Sequence, residues 1–222
     1  MKAMILAAGL GSRMRPLTDH APKPMLKVAE KPLIEHQINR LVNAGITDIV
    51  INTAYLAEQI ESYLGNGAKF GCAIKYSREE KALETGGGIF KALPLLGSSP
   101  FLVVNGDVWH ELDYKNLVNK EIFGLAHLVL VDNPSFNRAG DFYLKEGHAN
   151  TEQEGEALTF SGISILNPKL FEECAEGAFK LAPLLIKGMS AQQVTAEKYQ
   201  GYWLDVGTPQ RLNELNEHLN KD

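Results

Sequence analysis

The sequence predicts an α/β fold in which helices cover a central sheet. Short apolar runs rich in β-branched residues alternate with helical segments, and no internal repeat or low-complexity tract interrupts the alternation. Strands that alternate with helices need crossover connections, which favour parallel strands with helices on both faces. The second half of the chain carries the signals of a β-hairpin. We therefore expect a single Rossmann-like domain over 1–222, with a mostly parallel central sheet and a small β-hairpin lobe.

The first half of the chain shows the alternation most clearly. Glycines follow the two best helical patterns, at Gly45 and Gly65, where a left-handed C-terminal cap belongs. Strands are predicted at 3–8, 48–53, 73–76 and 101–105, and helices at 32–44, at 56–64 and from near Gly88 to Leu95.

The second half is less regular. Strands are predicted at 125–131 and 160–166, and a hairpin at 141–145 and 148–150, with a polar loop or frayed strand end at 151–156. The last helix has Thr208 as its N-cap, Pro209 at its first position, and a buried stripe of leucines at 212, 215 and 219.

Composition excludes several classes of protein. The 222 residues carry a formal net charge of −5, and an acidic chain lacks the basic field that binds nucleic acid or anionic membranes. Cys72 and Cys174 form no CxxC pair, which favours a reducing compartment. No apolar run approaches the roughly 18 residues of a membrane span. The first apolar run is followed by Gly9 and Gly11 rather than by a signal-peptide cleavage site. A soluble, cytoplasmic protein is the expectation.

The segment 6–18, followed by Pro22-Lys23-Pro24, has the character of a polyphosphate cradle. After a buried strand, Gly9 and Gly11 let backbone N–H groups approach a ligand closely, and Arg13 and Lys23 supply cations. The P-loop string GxxxxGK[ST] is absent, and Met14 stands where a dinucleotide fingerprint needs a third small residue. No HExxH or GxSxG motif supports zinc or covalent catalysis.

Two carboxylates stand at the ends of distant apolar runs. Asp107 follows the strand at 101–105, and Asp205 follows the short run at 202–204. Either residue alone is typical of a helix cap or a turn, and Asp205 could simply interact with the nearby Thr208. Because a phosphate-binding loop accompanies them, we favour a site in which both carboxylates hold one Mg²⁺.

The segment 6–24 resembles the signature LxAAGxGxRxxPxTxxxPKP of the sugar-1-phosphate nucleotidyltransferases. Members of that family join a nucleoside triphosphate to a sugar 1-phosphate and release pyrophosphate. Later landmarks follow in the family's order: Glu84-Thr85-Gly86-Gly87-Gly88, Asn105-Gly106-Asp107, Phe160-Ser161-Gly162-Ile163 and Trp203-Leu204-Asp205-Val206-Gly207-Thr208.

The resemblance implies a set of site residues. Nucleotide contacts are implied at Ala8, Gly9, Gly11, Ser12, Arg13, Lys23, Glu84, Thr85 and Gly86. Sugar contacts are implied at Asn105, Gly140, Glu152 and Lys180, and catalytic residues at Arg13, Lys23, Asp107 and Asp205, the two aspartates being the metal ligands. Simpler alternatives stay open: a flexible turn at 84–88, a turn at Gly140 and a solvated Lys180. Glu152 is chosen among three acidic residues of the 151–156 loop.

The strings at 104–109, 140–142 and 179–183 resemble the branch of the family that transfers the uridylyl group of UTP to N-acetylmuramate 1-phosphate in cell-wall recycling. Members that transfer guanylyl to mannose 1-phosphate are the alternative. A non-catalytic nucleotide-binding regulator is more remote, and so is a glycosyltransferase with Asn105-Gly106-Asp107 at its metal motif. We expect a monomer whose nucleotide-binding part spans about 1–110 and whose sugar-binding part spans about 111–222.

Overall fold

The computed structural model describes residues 1–220. Its strands are β1 (Ala3–Leu6), β2 (Lys27–Val28), β3 (Lys31–Pro32), β4 (Asp48–Thr53), β5 (Ala73–Arg78), β6 (Phe101–Asn105), β7 (Val108–His110), β8 (Ala126–Val131), β9 (Phe142–Lys145), β10 (His148–Asn150), β11 (Glu156–Leu166), β12 (Val194–Lys198) and β13 (Trp203–Asp205). Its α-helices are α1 (Leu33–Asn43), α2 (Ala57–Leu64), α3 (Glu84–Leu96), α4 (Lys115–Val118), α5 (Ala182–Ser190) and α6 (Pro209–Leu219). Lys221 and Asp222, the end of the predicted sugar-binding part, lie outside the described residues.

The central sheet is mixed. Its order is β5-β4-β1-β6-β11-β8-β12-β10-β9. Strands β5, β4, β1 and β6 pair in parallel, as do β8 and β12, whereas β11 runs antiparallel to β6, β8 and β9. The expectation of a mostly parallel sheet therefore holds only for its first half. The chain passes from β8 to β11 through the β9–β10 hairpin, and hairpins reverse strand direction where helical crossovers preserve it.

Helices pack on both faces of the sheet, as expected. Ala3 and Ile5 of β1 face Ile34 and Ile38 of α1, whereas Met4 faces the opposite side with α3 and α5. This division follows from the period of two in a strand, which sends alternate side chains to opposite faces. The predicted Thr208 cap is confirmed, because its hydroxyl accepts a hydrogen bond from the Arg211 N–H.

The glycine run at 84–88 differs from expectation, because it lies inside α3 rather than in a loop before it. Gly86 and Gly87 are buried, and a Cβ on either would approach the 177–179 segment to 2.5 and 2.2 Å respectively. The Gly87 N–H also donates to the Phe179 carbonyl (3.0 Å). These glycines therefore allow another segment to pack directly on the first turns of the helix.

A two-stranded ribbon stands beside the main sheet. Strands β7 and β13 pair antiparallel, with Asp205 opposite Val108. A small apolar cluster holds α6 against this ribbon through Trp109, Leu204, Leu212 and Leu215. The ribbon therefore joins the end of β6 to the segment that enters the last helix. Within residues 1–220, no helix combines the length and apolarity needed to cross a membrane.

Candidate active site

The loop after β1 is built to expose backbone N–H groups. Gly11 adopts a left-handed conformation (φ 63°), and a Cβ there would lie 3.0 Å from Thr18 Cγ2 and 3.1 Å from Lys23 Cβ. The Thr18 hydroxyl donates to the Gly11 carbonyl (2.8 Å), which fixes the turn. Across the described chain, the N–H groups of residues 8–11 have no hydrogen-bond acceptor. Such a run of free N–H groups can bind an anion.

A first cleft of ≈ 320 Å³ opens at the ends of β1 and β6. Seven of the predicted site residues line it: Ala8, Gly9, Lys23, Glu84, Thr85, Asn105 and Asp107. Two further polar residues, Asn52 and Glu79, also line this cleft and were not predicted. Asn52 donates to Glu79 (2.7 Å) and accepts from the Ala7 N–H (2.8 Å), so it ties the loop after β1 to β4 and β5.

A second cleft of ≈ 270 Å³ lies on the other side of Asp107. Its wall comes from the segment between β8 and β9, from β11, and from the β7–β13 ribbon. Arg13, Asn105, Asp107 and Asp205 line it, so Arg13 belongs to this cleft rather than the first. Asn105 and Asp107 line both clefts. Ligands in the two clefts would therefore meet at the carboxyl end of β6, which is where open α/β sheets bind ligands.

Each predicted metal carboxylate has a basic partner. Lys23 Nζ lies 2.5 Å from Asp107 Oδ2, and its side chain is 9% exposed. Arg211 Nη1 lies 2.9 Å from Asp205 Oδ2, and its side chain is 11% exposed. Arg211 was not predicted, although its position in the first turn of the predicted C-terminal helix is close to Asp205 in sequence.

The two carboxylates come close together through the ribbon. The Val206 N–H donates to the Asp107 carbonyl (2.9 Å), and Asp205 lies opposite Val108. Residues 1–220 contain no cluster of three or more metal-ligating His, Cys, Asp or Glu side chains. Two carboxylates on one cleft suit Mg²⁺, which keeps several waters and takes its remaining ligands from phosphate oxygens. The donor set therefore fits the predicted ion.

Asn105 owes its orientation to a bulge in β11. The register of β11 against β8 shifts between Phe160 and Ile163, where Gly162 has φ 79°. A Cβ on Gly162 would lie 2.5 Å from Asn105 Nδ2. Because Gly162 has no side chain, the Asn105 amide can pack closely against β11 at the boundary of the two clefts.

A buried polar network supports the ribbon from behind. Gln37 Nε2 donates to the Val108 carbonyl (2.6 Å), while the Tyr114 hydroxyl donates to Gln37 Oε1 (3.0 Å). His110 Nε2 lies 2.7 Å from the Tyr114 oxygen, and His110 Nδ1 accepts from the Leu112 N–H. Burial, with the nearby Arg40 charge, lowers the pKa of His110 to about 3. His110 is therefore neutral at physiological pH.

Six predicted contacts line neither cleft: Gly11, Ser12, Gly86, Gly140, Glu152 and Lys180. Gly140 (φ 73°) lies in a turn, where a Cβ would be 2.8 Å from the Leu158 carbonyl oxygen. Glu152 and Lys180 are both exposed. A ligand contact by any of these six residues stays a prediction.

Free backbone N–H groups beside one cleft, and a second cleft that shares Asn105 and Asp107 with it, suit a protein that binds a phosphorylated ligand next to a second ligand. A family model described as nucleotidyl transferase matches residues 2–131, and the chain belongs to this family. This result confirms the resemblance seen in the sequence.

Relatives cover nearly the whole chain. An N-acetylmuramate alpha-1-phosphate uridylyltransferase of Neisseria meningitidis is 50% identical over 96% of this chain and 96% of its own length. A mannose-1-phosphate guanyltransferase of Hypocrea jecorina is 33% identical over 94% of this chain, but only 61% of its own length is matched. Among solved structures, HddC from Yersinia pseudotuberculosis superposes with a TM-score of 0.83 at 26% identity, covering 98% of this chain and 99% of HddC.

Proposed function

We propose that this chain transfers the uridylyl group of UTP to N-acetylmuramate 1-phosphate, giving the UDP-sugar and pyrophosphate, with Mg²⁺ as cofactor. The observation that carries the proposal is the pair of clefts that share Asn105 and Asp107. A reaction between two anions needs their phosphates to meet at one point, and the clefts meet at the carboxylate best placed to hold a cation. The similarity to the N. meningitidis uridylyltransferase supports the choice of substrates.

UTP would occupy the first cleft. The free N–H groups of residues 8–11 and the Lys23 ammonium would bind its phosphates. Glu84 and Thr85, at the N-terminus of α3, would contact the base or ribose, together with Asn52 and Glu79. These groups would hold the triphosphate with its α-phosphorus toward Asp107, which lines the same cleft.

The sugar 1-phosphate would occupy the second cleft, oriented by Asn105. A phosphate oxygen attacks the α-phosphorus of UTP, a new P–O bond forms, and the bond to the β-phosphate breaks so that pyrophosphate leaves. No general base is needed, because the second pKa of a phosphate monoester is about 6. Arg13, which lines this cleft, would neutralise the negative charge that gathers where the two phosphates meet.

Asp107 and Asp205 would hold Mg²⁺, which when bound reduces the repulsion between the two phosphates and stabilises the charge of the transition state. Lys23 and Arg211 would hold the two carboxylates in position through their ion pairs. The division into a nucleotide-binding part and a sugar-binding part, the monomeric state, the role in peptidoglycan recycling and the cytoplasmic location belong to the same proposal.

The proposal is tested by pyrophosphate release with Mg²⁺ across UTP, GTP, CTP and dTTP, each with N-acetylmuramate, mannose, glucose and N-acetylglucosamine 1-phosphates. We expect the highest kcat/KM with UTP and N-acetylmuramate 1-phosphate. The D107N variant is the matched control, since it keeps the size of the side chain and removes its charge.

Other outcomes separate the alternatives. Highest activity with GTP and mannose 1-phosphate would keep the chemistry and overturn the substrates. Nucleotide binding without turnover in any combination would contradict an enzyme and support a regulatory module. Transfer of sugar from a UDP-sugar, without pyrophosphate release, would support a glycosyltransferase.

A further inference from the structure

Arg211 is a largely buried cation with three partners. Its Nη1 lies 2.9 Å from Asp205 Oδ2, and its Nε lies 3.4 Å from the Thr208 hydroxyl. Its guanidinium carbon also lies 4.1 Å from the centre of the Phe136 ring. At 11% exposure of its side chain, Arg211 is unlike a solvated surface arginine, whose ion pairs contribute little.

The backbone around Arg211 makes room for the pair. A Cβ on Gly207 would lie 2.4 Å from Arg211 Nη2 and within 3.1 Å of both Asp205 carboxylate oxygens. A side chain at position 207 would therefore displace the Asp205 and Arg211 side chains from their present pairing. With Oδ2 of Asp205 engaged by Arg211, the other oxygen, Oδ1, stays available for a cation.

Phe136 connects the same arginine to the second cleft. It lies between β8 and β9, its ring lines the second cleft, and it is 51% exposed. Its neighbour Asn137 donates to Asp141 and to the Thr159 hydroxyl (both 3.1 Å), and all three of these residues line the cleft. Phe136 packs on Arg211, and Arg211 pairs with Asp205. This chain of contacts links one wall of the second cleft to Asp205.

We propose that Arg211 is a positioning residue that holds Asp205 for the cation and anchors the Phe136 segment, so that sugar 1-phosphate binding and cation binding strengthen each other through one side chain. The inference rests on the proposed function, because it takes the second cleft as the sugar site and Asp205 as a cation ligand. Coupling of this kind is reciprocal: whatever the sugar phosphate does to cation affinity, the cation does to sugar phosphate affinity.

The test measures Mn²⁺ binding by electron paramagnetic resonance, without turnover, in the presence of a non-hydrolysable UTP analogue and with or without N-acetylmuramate 1-phosphate. In the wild-type protein we expect the sugar phosphate to tighten Mn²⁺ binding. In R211Q, Mn²⁺ affinity should fall about 10- to 100-fold, as is typical when the partner of a metal ligand is lost. In F136A, Mn²⁺ affinity without sugar should be unchanged, whereas the tightening by sugar should disappear.

Steady-state kinetics supply a second readout. At saturating Mg²⁺, R211Q and F136A should both raise the KM for the sugar 1-phosphate and leave the KM for UTP within about twofold, because Arg211 and Phe136 do not line the first cleft. The double variant should show no more loss of coupling than R211Q alone, since the two residues act in series. K187Q is the control, because it removes an exposed cation of α5 from its pair with Glu173.

The outcomes separate the two claims. Unchanged Mn²⁺ affinity and sugar KM in a folded R211Q would overturn the inference and leave the proposed function intact. Absence of Mn²⁺ binding by the wild-type protein would overturn both. If R211Q fails to fold, R211K decides: it keeps the charge but loses the guanidinium that lies over the Phe136 ring, so it should retain most Mn²⁺ affinity and lose the tightening by sugar. Full coupling in R211K would contradict the inference.

Discussion

The two carboxylates at the boundary of the clefts are held in different ways. Asp107 is paired with Lys23, which lies 84 positions away and belongs to the phosphate-binding loop. Asp205 is paired with Arg211, only 6 positions away across one turn into α6. Asp107 lines both clefts, whereas Asp205 lines only the second. The first cleft is therefore assembled by tertiary packing of distant loops, whereas the Asp205 side of the second cleft is a local motif attached through the ribbon.

The largest loss of activity is expected from D107N, and a smaller loss from D205N. We expect D107N to lower kcat/KM by about 10³-fold, since a cation in such a site provides several kcal/mol of transition-state stabilisation. D107N should also weaken binding of the Mg–UTP complex. D205N should lower kcat/KM by about 10²-fold and weaken Mg–UTP binding less than D107N does, because Asp205 does not line the first cleft.

Steady-state kinetics and calorimetric titration with a UTP analogue check this difference, and circular dichroism confirms that both variants are folded. Equal loss of nucleotide affinity in D107N and D205N would show that the two carboxylates are not divided between the clefts as described.

An intermediate effect is expected from G162A, which disturbs Asn105, one of the two residues that line both clefts. The added methyl group would lie 2.5 Å from Asn105 Nδ2, so Asn105 must move. We expect unfolding free energy to fall by about 2–4 kcal/mol, from the left-handed conformation together with the clash. Because Asn105 would no longer be aligned, kcat/KM should fall at least about tenfold.

Gly147 offers a matched control for this prediction. It has the same φ of 79°, and a Cβ there would meet nothing within 4 Å. G147A should therefore lose about 1–2 kcal/mol of stability, for the backbone conformation alone, and keep its activity. Urea unfolding and kinetics measure both variants. Equal losses of stability and activity in the two would mean that the contact with Asn105 has no role.

The smallest effect concerns the network behind the ribbon that joins the two carboxylates. The folded protein keeps His110 neutral with a pKa of about 3, whereas the unfolded chain binds this proton near the ordinary pKa of 6.5. Unfolding free energy should therefore fall as the pH is lowered from about 6.5 toward 3, by at most about 1.4 kcal/mol per pH unit from this group.

H110Q should lose this part of the slope, as measured by urea unfolding at steps between pH 7 and pH 4.5. Stopping at pH 4.5 leaves out most of the range in which Glu197 contributes, since its pKa is lowered from 4.5 to about 2, and what remains is common to the wild-type protein and H110Q. An identical slope in the wild-type protein and H110Q would contradict the assignment to His110.

Elements with a local sequence pattern, such as the buried strands and the hairpin, could be predicted from the sequence. The strands at 48–53 and 101–105 were predicted with the bounds that β4 and β6 have, because buried parallel strands are continuous apolar runs bounded by turn signals. The hairpin around Glu146-Gly147 was predicted for the same kind of reason, a turn signal between two short strands.

The remaining features depend on tertiary contacts. The glycines at 84–88 suggested a loop, yet they lie in α3 because the 177–179 segment packs on them. Helix α5 and strand β12 were not predicted at all. Glu152 was chosen on family pattern alone; the structure pairs Glu154 with Lys145 and Glu156 with Lys198, and leaves Glu152 on an exposed turn. Such pairings carry no periodic signal in the sequence.

In the proposed reaction, Asp107 and Asp205 would together hold the cation that reduces the repulsion between the two phosphates. The most direct measurement is paramagnetic broadening of ³¹P resonances by Mn²⁺ in the complex with a non-hydrolysable UTP analogue and N-acetylmuramate 1-phosphate. We expect Mn²⁺ to broaden both the α-phosphate and the sugar phosphate in the wild-type protein, and D205N to reduce the broadening of the sugar phosphate. Broadening of the nucleotide alone, with the sugar phosphate bound and unaffected, would contradict this expectation.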